Sequence, residues 1–496
     1  VSAPAGDSPL DRRRAGLLLH PTSLPGGVGN GDLGPDAYRF VDFLVAAGFT
    51  VWQTLPLGPT HAELSPYRCR SAHAGNELLI SLERLVDEGL LGRDGGPRHD
   101  EAPQDYRRRR LAEAFRAHRG RGHEAVAHRC EAFQERHRYW IEDFALFQSL
   151  REAHNGRPWW EWAPELRDRQ PEALREARAR LAEPIAQRCF EQALFYGQWG
   201  DLRRYANERG VLVFGDIPLY VADDSADVWA HREGFQLDGA GRPTVVAGVP
   251  PDYFSPTGQR WGNPQFDWRR MDADGFGWWV ERVRTQLEQF DLLRIDHFRG
   301  LEAYWEIPAW DDTAINGHWV EAPGAALLTR LGETFQRMPL IAEDLGHITP
   351  PVEELRDRFG LPGMKVLQFA FGGASDNPYL PHNVRENAVV YTGTHDNNTT
   401  LGWFRDLDPG TRAHVLDYLD CPADAMPTAL CRAALASVAR LAILPMQDVL
   451  RLGGDQRMNA PGTNDDHNWR WRFAWDQVSA GTDHFYRHLI GLYGRV

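Results

Sequence analysis

Residues 292–301 read Leu-Leu-Arg-Ile-Asp-His-Phe-Arg-Gly-Leu, and the architecture of the chain turns on them. The two leucines and the isoleucine mark a buried strand, yet Arg294, Asp296, His297 and Arg299 place four ionisable groups in six positions. Residues i and i+2 of a strand share a face, so Arg294 and Asp296 point the same way. A guanidinium beside a carboxylate orients it and favours its ionised form. An oriented, ionised carboxylate is suited to act as a nucleophile. An ion pair that only stabilised the interior would be a weak device, because burying both charges offsets much of their attraction.

Seven further apolar runs flank this one: 16–23, 50–57, 211–221, 339–346, 364–371, 388–396 and 441–450. Continuous apolar runs suit strands buried on both faces of a parallel sheet. Helical stretches separate most of them. Residues 35–48 start at a proline and stop at Gly48, and 350–360 run from a proline pair to Gly360. Eight strand–helix alternations predict an α/β chain of the (β/α)8 TIM-barrel type, with the site at the C-terminal ends of the strands. A doubly wound open sheet is the alternative. It would place a ligand at one crevice, whereas polar residues recur here at many strand ends.

The barrel spans 1–496 as a single catalytic domain with two insertions. Residues 58–210 are rich in Arg, Glu and Ala at helical spacing and read as a largely helical insertion between strands two and three. Residues 222–289 read as a loop-rich insertion between strands three and four, carrying an active-site loop at 248–268. The roughly 46 residues after the eighth run are too few for a C-terminal β-sandwich of about 100 residues.

The 496 residues carry a net charge of -14, which argues against a nucleic-acid partner. No apolar run approaches the length of about 18 residues that a membrane span needs. Five cysteines without a C-x-x-C pair, and no signal-peptide pattern at the start, fit a cytoplasmic protein without disulfides. Gly29 to Gly34 match G-x-G-x-x-G, but the next strand lacks the acidic residue a dinucleotide site needs, so the glycines are read as a turn shaping the barrel mouth. His123 and His128 stand five residues apart and would not share a helix face for zinc.

Three predicted strand ends bear carboxylates: Asp296, Glu343 and Asp396. On one barrel they converge on one mouth. Glu343 lies beside Asp344, and a carboxyl near other carboxylates has a raised pKa, as a proton donor requires. Asp396 follows His395, a pair able to hold two neighbouring hydroxyls. Paired carboxylates serve glycoside chemistry, and no phosphate cradle is present for phosphoryl transfer. Tyr67, Tyr253, Phe254 and Trp261 lie among Asp252, Gln259 and Asn263 in predicted loops. Aromatic faces there can pack on pyranose C–H faces while polar groups take the hydroxyls.

The segments LLLHPTSLPGGVGNGDLG, FGDIPLYVADDSADVW, GVPPDYFSPTGQRWGNP, RIDHFRG, AEDLG, YTGTHDNNTTLGW and RMNAPGT together resemble the 4-α-glucanotransferases known as amylomaltases or disproportionating enzymes. The resemblance implies an amylase-type barrel without a C-terminal β-domain and a retaining double displacement on α-1,4-glucans such as maltooligosaccharides, amylose and starch. It implies Asp296 as nucleophile, Glu343 as acid/base and Asp396 as the third carboxylate. Arg294, His297 and His395 would contact or orient the sugar. Tyr67, Asp252, Gln259 and Trp261 would line the binding loops, and Asp216 would be structural. No cofactor and no metal is expected. The chain departs from the family pattern at Ala62-Glu63-Leu64, Glu77-Leu78 and Gly372-Gly373, which bears on sugar subsites and not on the reaction. A net hydrolase and a non-catalytic glucan-binding barrel are the alternative readings.

Overall fold

The eight apolar runs form eight parallel strands in the computed structural model, which describes residues 9–120, 123–252, 255–463 and 465–495. They are β1 (Arg14–Leu18), β2 (Val51–Gln53), β3 (Leu212–Ile217), β4 (Leu292–Ile295), β5 (Leu340–Ala342), β6 (Gly363–Val366), β7 (Ala388–Tyr391) and β8 (Leu441–Pro445). The ladder runs β6-β7-β8-β1-β2-β3-β4-β5. The ends meet where the Ala342 N–H donates to Pro362 O (2.9 Å) and the Met364 N–H to Asp344 Oδ1 (2.6 Å). Gly363 permits that seam, because a Cβ there would lie 2.4 Å from Asp344 Oδ2. The strands are short and almost wholly buried, which is why they read as continuous apolar runs and not as alternating ones.

Helices cover the outside. Pro35–Ala47 ends at Gly48, which takes the left-handed φ of 80° that closes a helix. Pro350–Arg358 likewise starts on a proline. Between β2 and β3 the chain is mainly helical, with helices at Pro103–His118, Glu124–Arg136, Arg138–Ala153 and Pro171–Arg180 before the long helix Ala182–Glu208. That last helix leans on the barrel through buried Phe195 and Trp199, whose Nε1 donates to Gln289 O (2.9 Å). After β8, residues 452–463 and 465–475 fold back on the barrel, where the Phe473 N–H donates to Ser23 O (3.1 Å). The helix Thr482–Leu492 then packs beside Pro35–Ala47, where Arg487 Nε donates to Ala46 O (2.7 Å). No described helix is long and apolar enough to cross a membrane.

The structure differs from the sequence reading around 248–268. Part of that stretch is regular: Val245–Val249 pairs antiparallel with Gln259–Pro264. Strands Ala303–Pro308 and His318–Glu321 complete a four-stranded sheet that stands over the mouth. Gly262, Asn263 and Pro264 within one strand disguise it as loop, since glycine and proline are turn formers in sequence. Tyr253 and Phe254 lie outside the described residues.

Candidate active site

The ladder between β3 and β4 continues one step past the strand, as the Asp296 N–H donates to Ile217 O (2.9 Å). Asp296 therefore keeps the strand direction, and its side chain falls on the same face as that of Arg294. The guanidinium Nη2 donates to Asp296 Oδ1 (2.5 Å), as the i, i+2 spacing predicted. Its Nε also donates to Asp216 Oδ1 (2.9 Å), because Asp216 and Arg294 are register partners on adjacent strands. Tyr67 closes the cluster: its hydroxyl donates to Asp216 Oδ2 (2.7 Å) and accepts from Arg294 Nη2 (3.2 Å). One cation thus serves two carboxylates.

His297 then turns the chain through a left-handed φ of 53°, an uncommon conformation for a non-glycine residue. The turn aims its N–H at Glu343 Oε2 (2.8 Å), and the Leu345 N–H donates to Glu343 Oε1 (2.9 Å). Two backbone donors hold the Glu343 carboxyl in place. The main chains interlock as well, with the Glu343 N–H on Ile295 O (3.0 Å) and the Phe298 N–H on Glu343 O (3.1 Å). Asp296 and Glu343 accordingly sit on neighbouring strand ends with their backbones hydrogen-bonded through residues 295–298.

Burial pushes the Glu343 carboxyl up to about 7, against the pull of Arg294 and the two backbone N–H groups. Burial also lifts Asp296 above the usual carboxylate range; Arg294 opposes this, while Asp216, Glu343 and Asp396 add repulsion. Proximity to Arg294 predicted a purely stabilising partner for ionised Asp296. The structure shows why that effect is diluted: Asp216 claims the same guanidinium.

The opposite side of the mouth is built differently. Asp396 follows β7 and is 49% exposed at its side chain. His395 Nε2 stands 3.4 Å from Asp396 Oδ2. The His395 ring stacks on Tyr67 at 5.1 Å, with Trp469 tilted 5.9 Å away. Asn459 Nδ2 donates to Asp396 Oδ1 (2.7 Å), and Arg457 Nη2 to Asp396 O (2.8 Å). Burial lowers the pKa of His395 and takes that of His297 down to about 3, so both imidazoles are neutral near pH 7.

The sheet supplies a wall. The Trp261 ring meets His297 edge-on at 4.8 Å, and its Nε1 donates to Gln259 Oε1 (3.2 Å). Asp252 belongs to the hairpin tip, where the Ser255 N–H donates to Asp252 Oδ1 (2.7 Å). The structure thus brings Tyr67, Arg294, Asp296, His297, Glu343, His395 and Asp396 around one mouth, sets Trp261 and Gln259 at its edge, and leaves Asp252 on the tip.

Sequence reasoning assigned no chemistry to Asn459, Arg457 and Trp469. The motif 457–463 contains two of them, but nothing in it says that it folds back on β7. The 29–34 glycines form a turn in which the Gly34 N–H donates to Asp32 Oδ1 (3.0 Å), while Arg107 takes Asp32 Oδ2 at 3.0 Å. Among the described residues, no cluster of three or more His, Cys, Asp or Glu side chains could hold a metal ion.

Comparison with known proteins gives the family. A family model described as 4-alpha-glucanotransferase matches residues 19–477. A 4-alpha-glucanotransferase of Thermus thermophilus is 51% identical over 481 residues, covering 94% of this chain and 96% of its own. One from Synechocystis sp. is 47% identical over 499 residues, covering 98% of this chain and 99% of its own. Among solved structures, the amylomaltase from Streptococcus agalactiae in complex with acarbose superposes with a TM-score of 0.92 at 37% identity, covering 98% of this chain and all of that one.

Proposed function

Since the chain belongs to the 4-alpha-glucanotransferase family, we propose that it works by a retaining double displacement in which Asp296 attacks the sugar and Glu343 moves the proton. Asp296 Oδ1 is engaged by Arg294, and Oδ2 is the oxygen we assign to the attack on the anomeric carbon. As that bond forms, Glu343 gives its proton to the glycosidic oxygen and the shortened glucan leaves. The 4-hydroxyl of a second α-1,4-glucan then loses its proton to the Glu343 carboxylate and displaces Asp296 from the anomeric carbon. The chemistry requires the two carboxyl groups about 5–5.5 Å apart across the bond.

The observation that carries this reading is the unequal treatment of two adjacent acids. Asp296 has a guanidinium bond, whereas Glu343 has only backbone N–H groups; burial raises both carboxyls, so the contrast lies in their hydrogen-bond partners. Crowded carboxylates with one shared cation retain a proton, and the better-neutralised partner gives it up first. Glu343 is therefore the proton donor and Asp296 the ionised nucleophile. Asp396, His395 and Tyr67 are assigned to gripping the sugar on the β7 side, and Arg294 to orienting Asp296. His297 and Trp261 are assigned to a wall that excludes water, and Gln259 and Asp252 to the sugar-binding loop at the edge of the mouth. Excluding water favours transfer to a sugar over hydrolysis. The five cysteines, all unpaired, suit a reducing cytoplasm.

Incubation with maltotriose tests the reading. Products longer than maltotriose, accompanied by glucose, are expected. A ladder holding only shorter sugars would make the enzyme a hydrolase, and binding without any product would make it a glucan-binding protein.

A further inference from the structure

The sheet over the mouth has an outer side that the reaction does not use. Residues 309–317 connect strands Ala303–Pro308 and His318–Glu321, and they carry Trp310, which is 79% exposed. Among the described residues no aromatic ring pairs with it, and Ile315 on the same connection is also exposed. A single exposed apolar side chain is ordinary on a protein surface, but the connection that carries this one is fixed by hydrogen bonds on both sides. The Ala314 N–H donates to Thr257 O (3.0 Å), Trp305 Nε1 to Ala314 O (2.9 Å), Asn316 Nδ2 to Asp311 Oδ2 (3.1 Å) and Arg260 Nη2 to Ala309 O (2.9 Å). The connection is thus bolted to the same hairpin that carries Gln259 and Trp261 at the edge of the mouth.

A braced, solvent-facing indole beside Asp311, Asp312 and Asn316 combines an apolar face with hydroxyl-binding groups, the pairing that suits a sugar ring. The neighbouring aspartates and the net charge of -14 disfavour an acidic partner, whereas a neutral glucan meets no repulsion. We propose that Trp310 is an outer stacking platform for a long α-1,4-glucan, gripping a segment that extends beyond the sugars held at Asp296 and Glu343. This rests on the glucanotransferase reading and adds to it a preference for long chains.

The test compares wild type, Trp310→Ala and Trp310→Phe in amylose-containing native gels and in kinetics on amylose and maltotriose. The exposed side chain takes no part in the core, so its removal leaves the fold intact, and maltotriose turnover checks this directly. Trp310→Ala is expected to lose retardation by amylose and to raise KM for amylose about fivefold, the scale of one aromatic contact. Its kcat and KM on maltotriose should be unchanged, and Trp310→Phe should restore most of the retardation. Unchanged retardation and KM on amylose would overturn the proposal. So would a sedimentation shift caused by Trp310→Ala with amylose binding intact, which would make the platform a contact between two copies of the chain. Failure of the wild type to act on maltotriose would instead remove the underlying reading.

Discussion

At the end of β4, Asp296 is held by a residue two positions earlier in its own strand, whereas at the end of β7, Asp396 is held by Asn459 and Arg457, which lie 63 and 61 residues further along the chain. The first arrangement is local and packed with charge, with Asp296 30% exposed at its side chain. The second is long-range and half open to solvent. On the proposed mechanism the two sides have different duties. The β4–β5 side needs fixed geometry and tuned protonation to make and break bonds. The β7 side needs to grip a sugar that enters and leaves, and a partner from the chain segment 452–475 can do so without disturbing the acids opposite.

The sharpest way to break this contrast is to remove a side chain from the bond-making side. Asp296→Ala is expected to lower glucose release from maltotriose by about 10⁴-fold or more, the scale seen when a nucleophile is deleted. Undiminished release would place the bond-making residue elsewhere. A second effect is on pH. If, as proposed, the protonated form of Glu343 donates, disproportionation rates should fall as pH rises through about 7. A rate that stays level well above that pH would contradict the assignment of the donor.

On the β7 side the expected losses are smaller. Asn459→Ala removes one hydrogen bond to a charged group and should cut kcat/KM on maltotriose by about 10–100-fold, while leaving the alkaline limb of the pH profile where it is. A moved limb would mean that the two sides are not independent. The mildest effect concerns stability. The Glu343 carboxyl in the fold titrates near 7, above its ordinary 4.5, so the folded chain binds the extra proton. That contribution is fully present below the ordinary value and is lost as pH rises through about 7. Glu343→Gln should therefore raise Tm relative to wild type more at pH 8 than at pH 5, by thermal unfolding. An equal rise at both would show that Glu343 is not protonated preferentially in the fold.

The same division explains what the sequence made readable. The eight barrel strands stood out because each is almost wholly buried and mainly apolar, with few polar residues among them. The helix Pro35–Ala47 stood out through its proline and Gly48. The Arg294–Asp296 pair followed from strand periodicity alone. The claim of Asp216 on Arg294 did not, because it arises from the register between β3 and β4, which one strand cannot disclose. The four-stranded sheet was hidden for a compositional reason: Gly262 and Pro264 interrupt one strand, and the connection at 309–317 resembles an ordinary loop. Asn459 was hidden by distance along the chain, since its contact with Asp396 exists only once the chain folds back on the end of β7.

The central claim is that a sugar becomes covalently attached to Asp296, and trapping that species tests it most directly. On this account Glu343→Ala should slow removal of the sugar, and a glycosyl fluoride needs no proton to lose its leaving group. The two together should accumulate the intermediate for mass spectrometry. Cleavage after Arg294 and Arg299 releases the peptide Ile295–Arg299, in which Asp296 is the only carboxylate side chain. The account predicts the added glycosyl mass on that peptide; the same mass on the peptide containing Asp344 or on the one containing Asp396 would contradict it.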